Sequence, residues 1–257
     1  MTERVSLSGL STELKTGLAF LTRLPVRIPP ATAEEFLRAG WTFPVIGAGV
    51  GAVGAAIYWL AHAFGLQAFI CATLAVTATL LLTGGLHEDG LADTADGFGA
   101  SAGVERKLAI MHDSQIGTYG AAALTLSLML RVGAIASLAD PAIVAPALIA
   151  AHAGARASML MFMQGVERAR DDGLSAEAGV PPQGSALIAA GIALVVLLLC
   201  LGFGATLVAL VLLAGAGGAM AWLSLRQIGG QTGDVLGAFE QTAEVLILLT
   251  AAVALTA

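Results

Sequence analysis

The chain has 257 residues, 57% of them hydrophobic and only 12% charged, whereas an ordinary soluble domain is about a quarter charged. With a mean hydropathy of +0.86 it cannot cover a globule with polar surface, so a soluble fold is excluded. Its net charge of −6 leaves no basic stripe to neutralise phosphates, which excludes a nucleic-acid partner.

From the N-terminus, Leu7, Leu10, Leu14, Leu18 and Leu21 recur at helical spacing with Glu13 and Lys15 off the stripe, which predicts an amphipathic helix. The same stripe serves a helix lying on the membrane or one packed on a bundle. Glu13, Lys15 and Arg23 interrupt this first apolar material, so no secretory signal is visible. Pro25, Pro29 and Pro30 then break the helix before a short polar stretch at Glu34 to Arg38, closing an N-terminal interfacial segment over 1–42.

Seven apolar spans follow, at 43–64, 66–86, 119–138, 141–163, 185–203, 204–225 and 243–257, the last of them short. Each is read as a helix crossing a hydrocarbon core of about 30 Å, since backbone groups in lipid must bond internally. Gly65 and Gly202 to Gly204 mark tight helical hairpins, and Gly47, Gly51 and Ala55, four residues apart, predict close packing through small residues. Cys71 and Cys200 lie in apolar runs and read as buried, inert thiols. The fold class expected is an all-α, polytopic integral membrane protein with one membrane-embedded domain over 1–257. The lipid bilayer is its first partner, and an oligomer is compatible with the pattern.

Basic residues set the orientation. Arg4, Lys15, Arg23, Arg27 and Arg38 precede the first span, Arg106 and Lys107 lie between the second and third, Arg168 and Arg170 between the fourth and fifth, and Arg226 before the last. With the N-terminus inside, all of these face the cytoplasm. The polar segments 87–118, 164–184 and 226–242 then share one face. Arg131 and Arg156 fall within spans.

The chemistry is concentrated in GGLHEDGLADTADGFG, Gly84 to Gly99. Asp89, Asp93 and Asp96 stand at i, i+4 and i+7, so a helix would put three mutually repelling carboxylates on one face. Hard oxygen ligands at this density suit Mg²⁺ held jointly with substrate phosphates, which would stabilise displacement at phosphorus. A solvated acidic loop is the plain alternative. In IMHDSQIGTYG, Ile110 to Gly120, Asp113 could add a ligand. His112 or His87 could accept a proton, against the alternative that each is merely solvated.

A second constellation, GGQTGDVLGAFEQTAEV at Gly229 to Val245, carries Asp234, Gln241 and Glu244 at the start of the last span. Asp234 and Glu244 would lie about 15 Å apart along a straight helix, too far to share an ion. Asp234 then fits a second ligand group or a hydroxyl or guanine contact, or else Thr232 or Asp234 simply caps the helix. Within the fourth span His152 and Arg156 share a helical face, and Arg156 reads as a phosphate contact or as the partner of a buried acid. Arg131 could snorkel to the interface. Glu167, Arg168, Arg170, Asp171 and Asp172 read as a solvated loop, with an Arg–phosphate contact as the minority view.

These blocks, with FLTRLPV at Phe20 to Val26 and FPVIG at Phe43 to Gly47, closely resemble the cobalamin synthase family, the adenosylcobinamide-GDP ribazoletransferases. The resemblance runs in order from the N-terminal helix to the last span, and the Asp-rich block is its most specific piece. It implies an inner-membrane, Mg²⁺-dependent enzyme that joins adenosylcobinamide-GDP to α-ribazole or its 5′-phosphate, giving adenosylcobalamin or its 5′-phosphate and GMP. The ribazole 3′-hydroxyl would attack the phosphorus attached to cobinamide. His87, Asp89, Asp93, Asp96, Asp113 and Asp234 match the family's characteristic polar positions. The expected catalytic groups are therefore His87, Asp89, Asp93 and Asp113, and the metal ligands Asp89, Asp93 and Asp96. The expected substrate contacts are His112, Arg156, Asp234, Gln241 and Glu244. Glu88 stands where relatives carry an apolar residue and lies off the aspartate face, so it is not expected to ligate.

Two rivals differ in kind. Phosphatidyl-type transferases acting on cytidine diphosphate lipids place an Arg soon after the first Asp-Gly pair, and 90–99 contains none. A transporter would use Arg131, His152 and Arg156 along a pathway, which leaves the acids outside the spans unexplained.

Overall fold

A computed structural model describes residues 7–27, 32–169 and 180–256. Arg4, Pro29, Pro30, Arg170, Asp171 and Asp172 lie outside the described residues, as does much of the segment 164–184. In the described part the regular elements are helices, in keeping with the all-α membrane class, and the isolated bridge between Arg168 and Gln231 is the exception.

Helix α1 (Leu7–Leu21) packs against the bundle through its C-terminal half. Leu21 is buried, Phe20 meets Phe36 edge-on and stacks on Phe43, and the Trp41 indole donates to the Glu13 carboxylate at 2.6 Å. Helix α2 (Ala33–Arg38) starts at a capping box, Thr32 with Glu35, and leads through a 3₁₀ turn (Ala39–Thr42) into α3 (Phe43–Ala63).

Helix α3 packs along α8 (Pro141–Gly165), backbone against backbone. A Cβ on Gly47 would stand 2.2 Å from the His152 carbonyl oxygen and one on Gly51 2.4 Å from that of Leu148, so the small-residue spacing does set this contact. Helix α4 (Ala68–Thr83) packs on the other side of α3, and α7 (Thr118–Leu138) joins α8 by a turn whose Ala139 carbonyl accepts from the Tyr58 hydroxyl.

Helix α9 (Gln183–Ile228) holds the expected spans 185–203 and 204–225 in one 46-residue element broken at Gly202, where φ is 77° and ψ 173°. Its first turn is pinned by Ser185, which accepts from the Trp41 amide and donates to the Arg38 carbonyl. Near its other end Gln227 accepts from Lys107. Ala186, Ala189 and Ile228 belong to one buried cluster, with Leu21, Phe43, Met111, Phe162 and Phe239. Leu197, Leu201, Ala205 and Ala209 belong to the other, with Cys71, Ile135, Leu148 and Leu248. The chain therefore turns back at Gly202, and both ends of α9 return to the polar end of the bundle. Helix α10 (Gly233–Ala254) closes the fold against α8 and α9.

Among the described residues, five helices are long and apolar enough to cross a membrane, or six if α4 and the helix after it form one bent span. The seven expected spans exceed this count because α4 has only 16 residues and the two halves of α9, which meet at the non-helical Gly202, are counted together. Large apolar side chains such as Phe64, Phe69, Leu199, Phe203 and Val253 face outward, as helices bathed in hydrocarbon require. Cys71 is buried and free; Cys200 is free and partly exposed.

Two segments expected as loops are largely helical. The stretch 87–118 contains most of α5 (Leu86–Gly99) and all of α6 (Val104–Met111), and 226–242 is helical again from Gly233.

Candidate functional site

The acidic helix is aimed by two glycines. Gly84 and Gly85 both adopt φ of 71°, a left-handed conformation in which a Cβ is strained, and they turn the chain through 90° between α4 and α5. Helix α5 thus lies across the bundle instead of continuing the span, and it packs on α10, α7 and α6.

Its aspartates fall on one face as the spacing predicts. Asp89 is exposed, while Asp93 and Asp96 are half-buried. Asp96 accepts from the Gly117 amide at 2.7 Å and the Gly120 amide at 2.9 Å, so it ties the first turn of α7 to α5 and keeps lone pairs free on both oxygens. The fourth acid arrives from α10. A Cβ on Gly90 would stand 2.8 Å from the Asp234 carbonyl oxygen, and one on Gly237 3.1 Å from that of His87. This backbone-to-backbone crossing sets Asp234 beside the α5 face, while Thr232 caps α10 by accepting from the Val235 amide. Burial and the charges of Asp89, Asp234 and Asp96 push the Asp93 carboxyl up to about 7. Four carboxylates thus act on one another at the solvent-accessible side of α5, hard-oxygen groups of the kind Mg²⁺ takes, although among the described residues only His152, Glu240 and Glu244 present three ligand atoms within 4.8 Å of one another. The structure brings Asp89, Asp93, Asp96 and Asp234 together from two sequence blocks.

Beneath the mouth lies a second, buried constellation. Arg131 on α7 pairs with Glu88 at 3.0 Å and Glu244 at 3.1 Å. Glu244 also meets His152 at 3.1 Å, and Arg156 meets Glu240 at 2.7 Å. Glu240 lies 3.3 Å from His87 Nδ1, and Gln241 donates to Glu240 while accepting from Ser127. Three carboxylates and two guanidiniums are thus balanced within one charge, with two imidazoles among them. His152, Glu240 and Glu244 could present ligand atoms to a cation, but the arginines already occupy that role.

The structure places several of the expected site residues away from the mouth. At 3.6 residues per turn His87 points about 150° around α5 from the aspartates; it is buried on Glu240, not poised over the acidic mouth. Arg156, Gln241 and Glu244 are at most 2% exposed and engage one another's networks instead of the mouth. Arg131, 1% exposed, does not snorkel, because two carboxylates hold it inside. His112 and Asp113 are exposed between α6 and α7, where Asp113 accepts from the Gln115 amide and is not among the acids acting on Asp93. Glu88 lies off the aspartate face, as expected, and is Arg131's partner. Glu240 was missed. Its signal was present: Glu240 and Glu244 are spaced by four in an apolar span, matching His152 and Arg156 in another.

The family model described as cobalamin-5-phosphate synthase matches residues 13–252. An adenosylcobinamide-GDP ribazoletransferase of Bradyrhizobium diazoefficiens is 51% identical over 96% of this chain and 95% of its own length. Enzymes of the same name from Mesorhizobium japonicum and Azorhizobium caulinodans are 46% and 45% identical, covering 93% and 94% of this chain and 92% and 96% of theirs. No solved structure matches the chain.

Proposed function

The chain belongs to the cobalamin-5-phosphate synthase family, and from that premise we propose that its acidic mouth performs the reaction named by its relatives, with magnesium as cofactor. It is a transferase joining adenosylcobinamide-GDP to α-ribazole or α-ribazole 5′-phosphate. A ribazole hydroxyl attacks the phosphorus attached to cobinamide, the new O–P bond replaces the bridging P–O bond of the diphosphate, and GMP leaves. The hydroxyl proton goes to solvent or to a carboxylate of the mouth.

The observation that carries this reading is the convergence of Asp89, Asp93, Asp96 and Asp234, held by the Gly90–Gly237 crossing of α5 and α10. These residues would hold Mg²⁺, which supplies charge neutralisation at the diphosphate and at the departing GMP. Asp96 also fixes the α7 end of the mouth through Gly117 and Gly120. The buried network gives α5 its rigidity: Glu88 is tied to α7 through Arg131, and His87 to α10 through Glu240. Positioning of this kind is what phosphoryl transfer most requires of a protein.

The basic residues flanking the spans support a cytoplasmic mouth in a multi-pass inner-membrane protein, with the N-terminus on the same side. Purified protein in nanodiscs, given adenosylcobinamide-GDP, α-ribazole and Mg²⁺, is expected to release GMP and form the corrinoid product. Asp89→Asn is expected to abolish both while the protein stays folded; full activity in that variant would overturn the metal assignment.

A further inference from the structure

We infer that Arg23 is a substrate-binding residue whose guanidinium contacts the diphosphate of the nucleotide-activated substrate at the rim of the acidic mouth. The inference rests on the phosphoryl-transfer reading of that mouth and assigns it a cation.

The argument starts from charge. Four carboxylates line the mouth, and a diphosphate brought to them is itself anionic, so one divalent cation leaves the pair under-neutralised. Several of the other described cations near this end are committed, and what sets Arg23 apart from the exposed Arg27 and Arg106 is its place at the elbow between α4 and α5. Arg131 and Arg156 pair with buried carboxylates, Lys107 is buried and donates to Gln227, and Arg226 lies over the Trp222 ring. Arg23 is exposed, and among the described residues no carboxylate stands within ion-pair distance of it.

Its placement is built. Leu21 and Thr22 are buried at the end of α1, the Thr22 hydroxyl donates to the Leu18 carbonyl, and the Arg23 amide donates to the Leu82 carbonyl at 2.7 Å. This locks the Arg23 backbone onto the last turn of α4. The side chain then runs across Gly84, where a Cβ would fall 2.0 Å from Nε and 2.9 Å from both Cγ and Cδ. Arg23 therefore occupies the space that the missing side chain leaves at the elbow from which α5 departs. Asp89 lies five residues further along, roughly 8 Å of helix, within the span of an arginine side chain and a diphosphate together. The guanidinium fork matches phosphate oxygens in a way a lysine does not. A purely structural arginine here would instead cap the carbonyls ending α4, so the test must separate the two.

The adjacent glycines separate them. Gly84 and Gly85 share φ of 71° and hence the same strain on gaining a Cβ, yet a Cβ on Gly85 meets nothing within 4 Å. With full-length protein in nanodiscs, KM and the equilibrium Kd for adenosylcobinamide-GDP are measured alongside KM for α-ribazole. Arg23→Gln is expected to raise the KM and Kd for adenosylcobinamide-GDP about tenfold or more, leaving kcat and the α-ribazole KM within about twofold, with Arg23→Lys recovering part of the loss. Gly84→Ala is expected to raise them by more than Gly85→Ala, which shares the backbone strain but not the contact with Arg23. An unchanged KM and Kd in Arg23→Gln, or a lowered thermal midpoint with no change in either constant, overturns the assignment. Equal effects of the two glycine variants also overturn it. Should Gly84→Ala fail to fold, the Gln and Lys variants decide alone. Unmutated protein that binds adenosylcobinamide-GDP but releases no GMP sinks the transfer reading, and the Kd comparison still judges Arg23; unmutated protein that does not bind it overturns both.

Discussion

Gly90→Ala tests whether the crossing of α5 and α10 makes the site. A Cβ at position 90 would lie 2.8 Å from the Asp234 carbonyl oxygen and 3.0 Å from its Cα, against about 3.4 Å for ordinary contact, so α10 must retreat by about 0.6 Å. Both neighbouring atoms are backbone and cannot rotate away. The displacement falls on Asp234, beside Asp93. A misplacement of about 1 Å costs on the order of 100-fold in a positioned reaction, so 0.6 Å is expected to lower kcat roughly tenfold and to raise the Mg²⁺ needed for half-activation. Stability should barely move, because alanine regains about 0.5–1 kcal/mol of helix propensity against the clash. The measurement is GMP release at saturating substrates across an Mg²⁺ titration, with thermal unfolding as the fold check. Gly133→Ala, on α7 with open space around its Cβ, is the matched control and is expected to be silent. A Gly90→Ala protein with unmutated kcat and Mg²⁺ activation would refute the claim that this contact positions the acids.

Other expectations follow from the two constellations. Since Asp93 is held up to about 7 by burial and by Asp89, Asp234 and Asp96, its carboxyl is neutral below that pH and must lose its proton to bind a cation. Apparent Mg²⁺ affinity, measured calorimetrically, should therefore weaken as pH falls through about 7, with proton release on binding; a flat profile between pH 6 and 8 would count against Asp93 as a ligand. Arg131→Met leaves Glu88 and Glu244 facing each other without their cation and is expected to cost about 3–5 kcal/mol in detergent unfolding. Adding Glu88→Gln should restore part of it, and strict additivity of the two changes would deny their coupling.

How much of this was legible in the sequence depends on the physics of each piece. Spacing alone placed Asp89, Asp93 and Asp96 on one face, because helical geometry is local. Glycine spacing foretold close packing at Gly47 and Gly51 for the same reason, though not that α8 would be the partner. Joining Asp234 to that face needed the tertiary crossing at Gly90 and Gly237, which no local rule contains. The hairpin at Gly202 was legible too, since a glycine at φ 77° separates the two halves of α9, whereas α4, with 16 residues, is shorter than the span expected there. The intramembrane charges were seen, and pairing with a buried acid was one of the two readings of Arg156, but which acids meet Arg131 and Arg156 needed the approach of Glu88, Glu240 and Glu244 from α5 and α10.

That pairing bears on what α5 is for. A 14-residue helix carrying three mutually repelling aspartates has little reason to hold its place across the end of a bundle. Its other faces supply the reason, since Glu88 and His87 reach into the apolar interior, where releasing either would strand a partner among hydrocarbon. A transport pathway would keep such groups open to a passing solute, but here they are sealed and spent on one another. The buried charges thus act as an anchor, and the cost of burying them is the stiffness with which Asp89, Asp93 and Asp96 are presented to solvent. On this argument, loosening the anchor should slow the chemical step at the mouth although its residues lie buried beneath it.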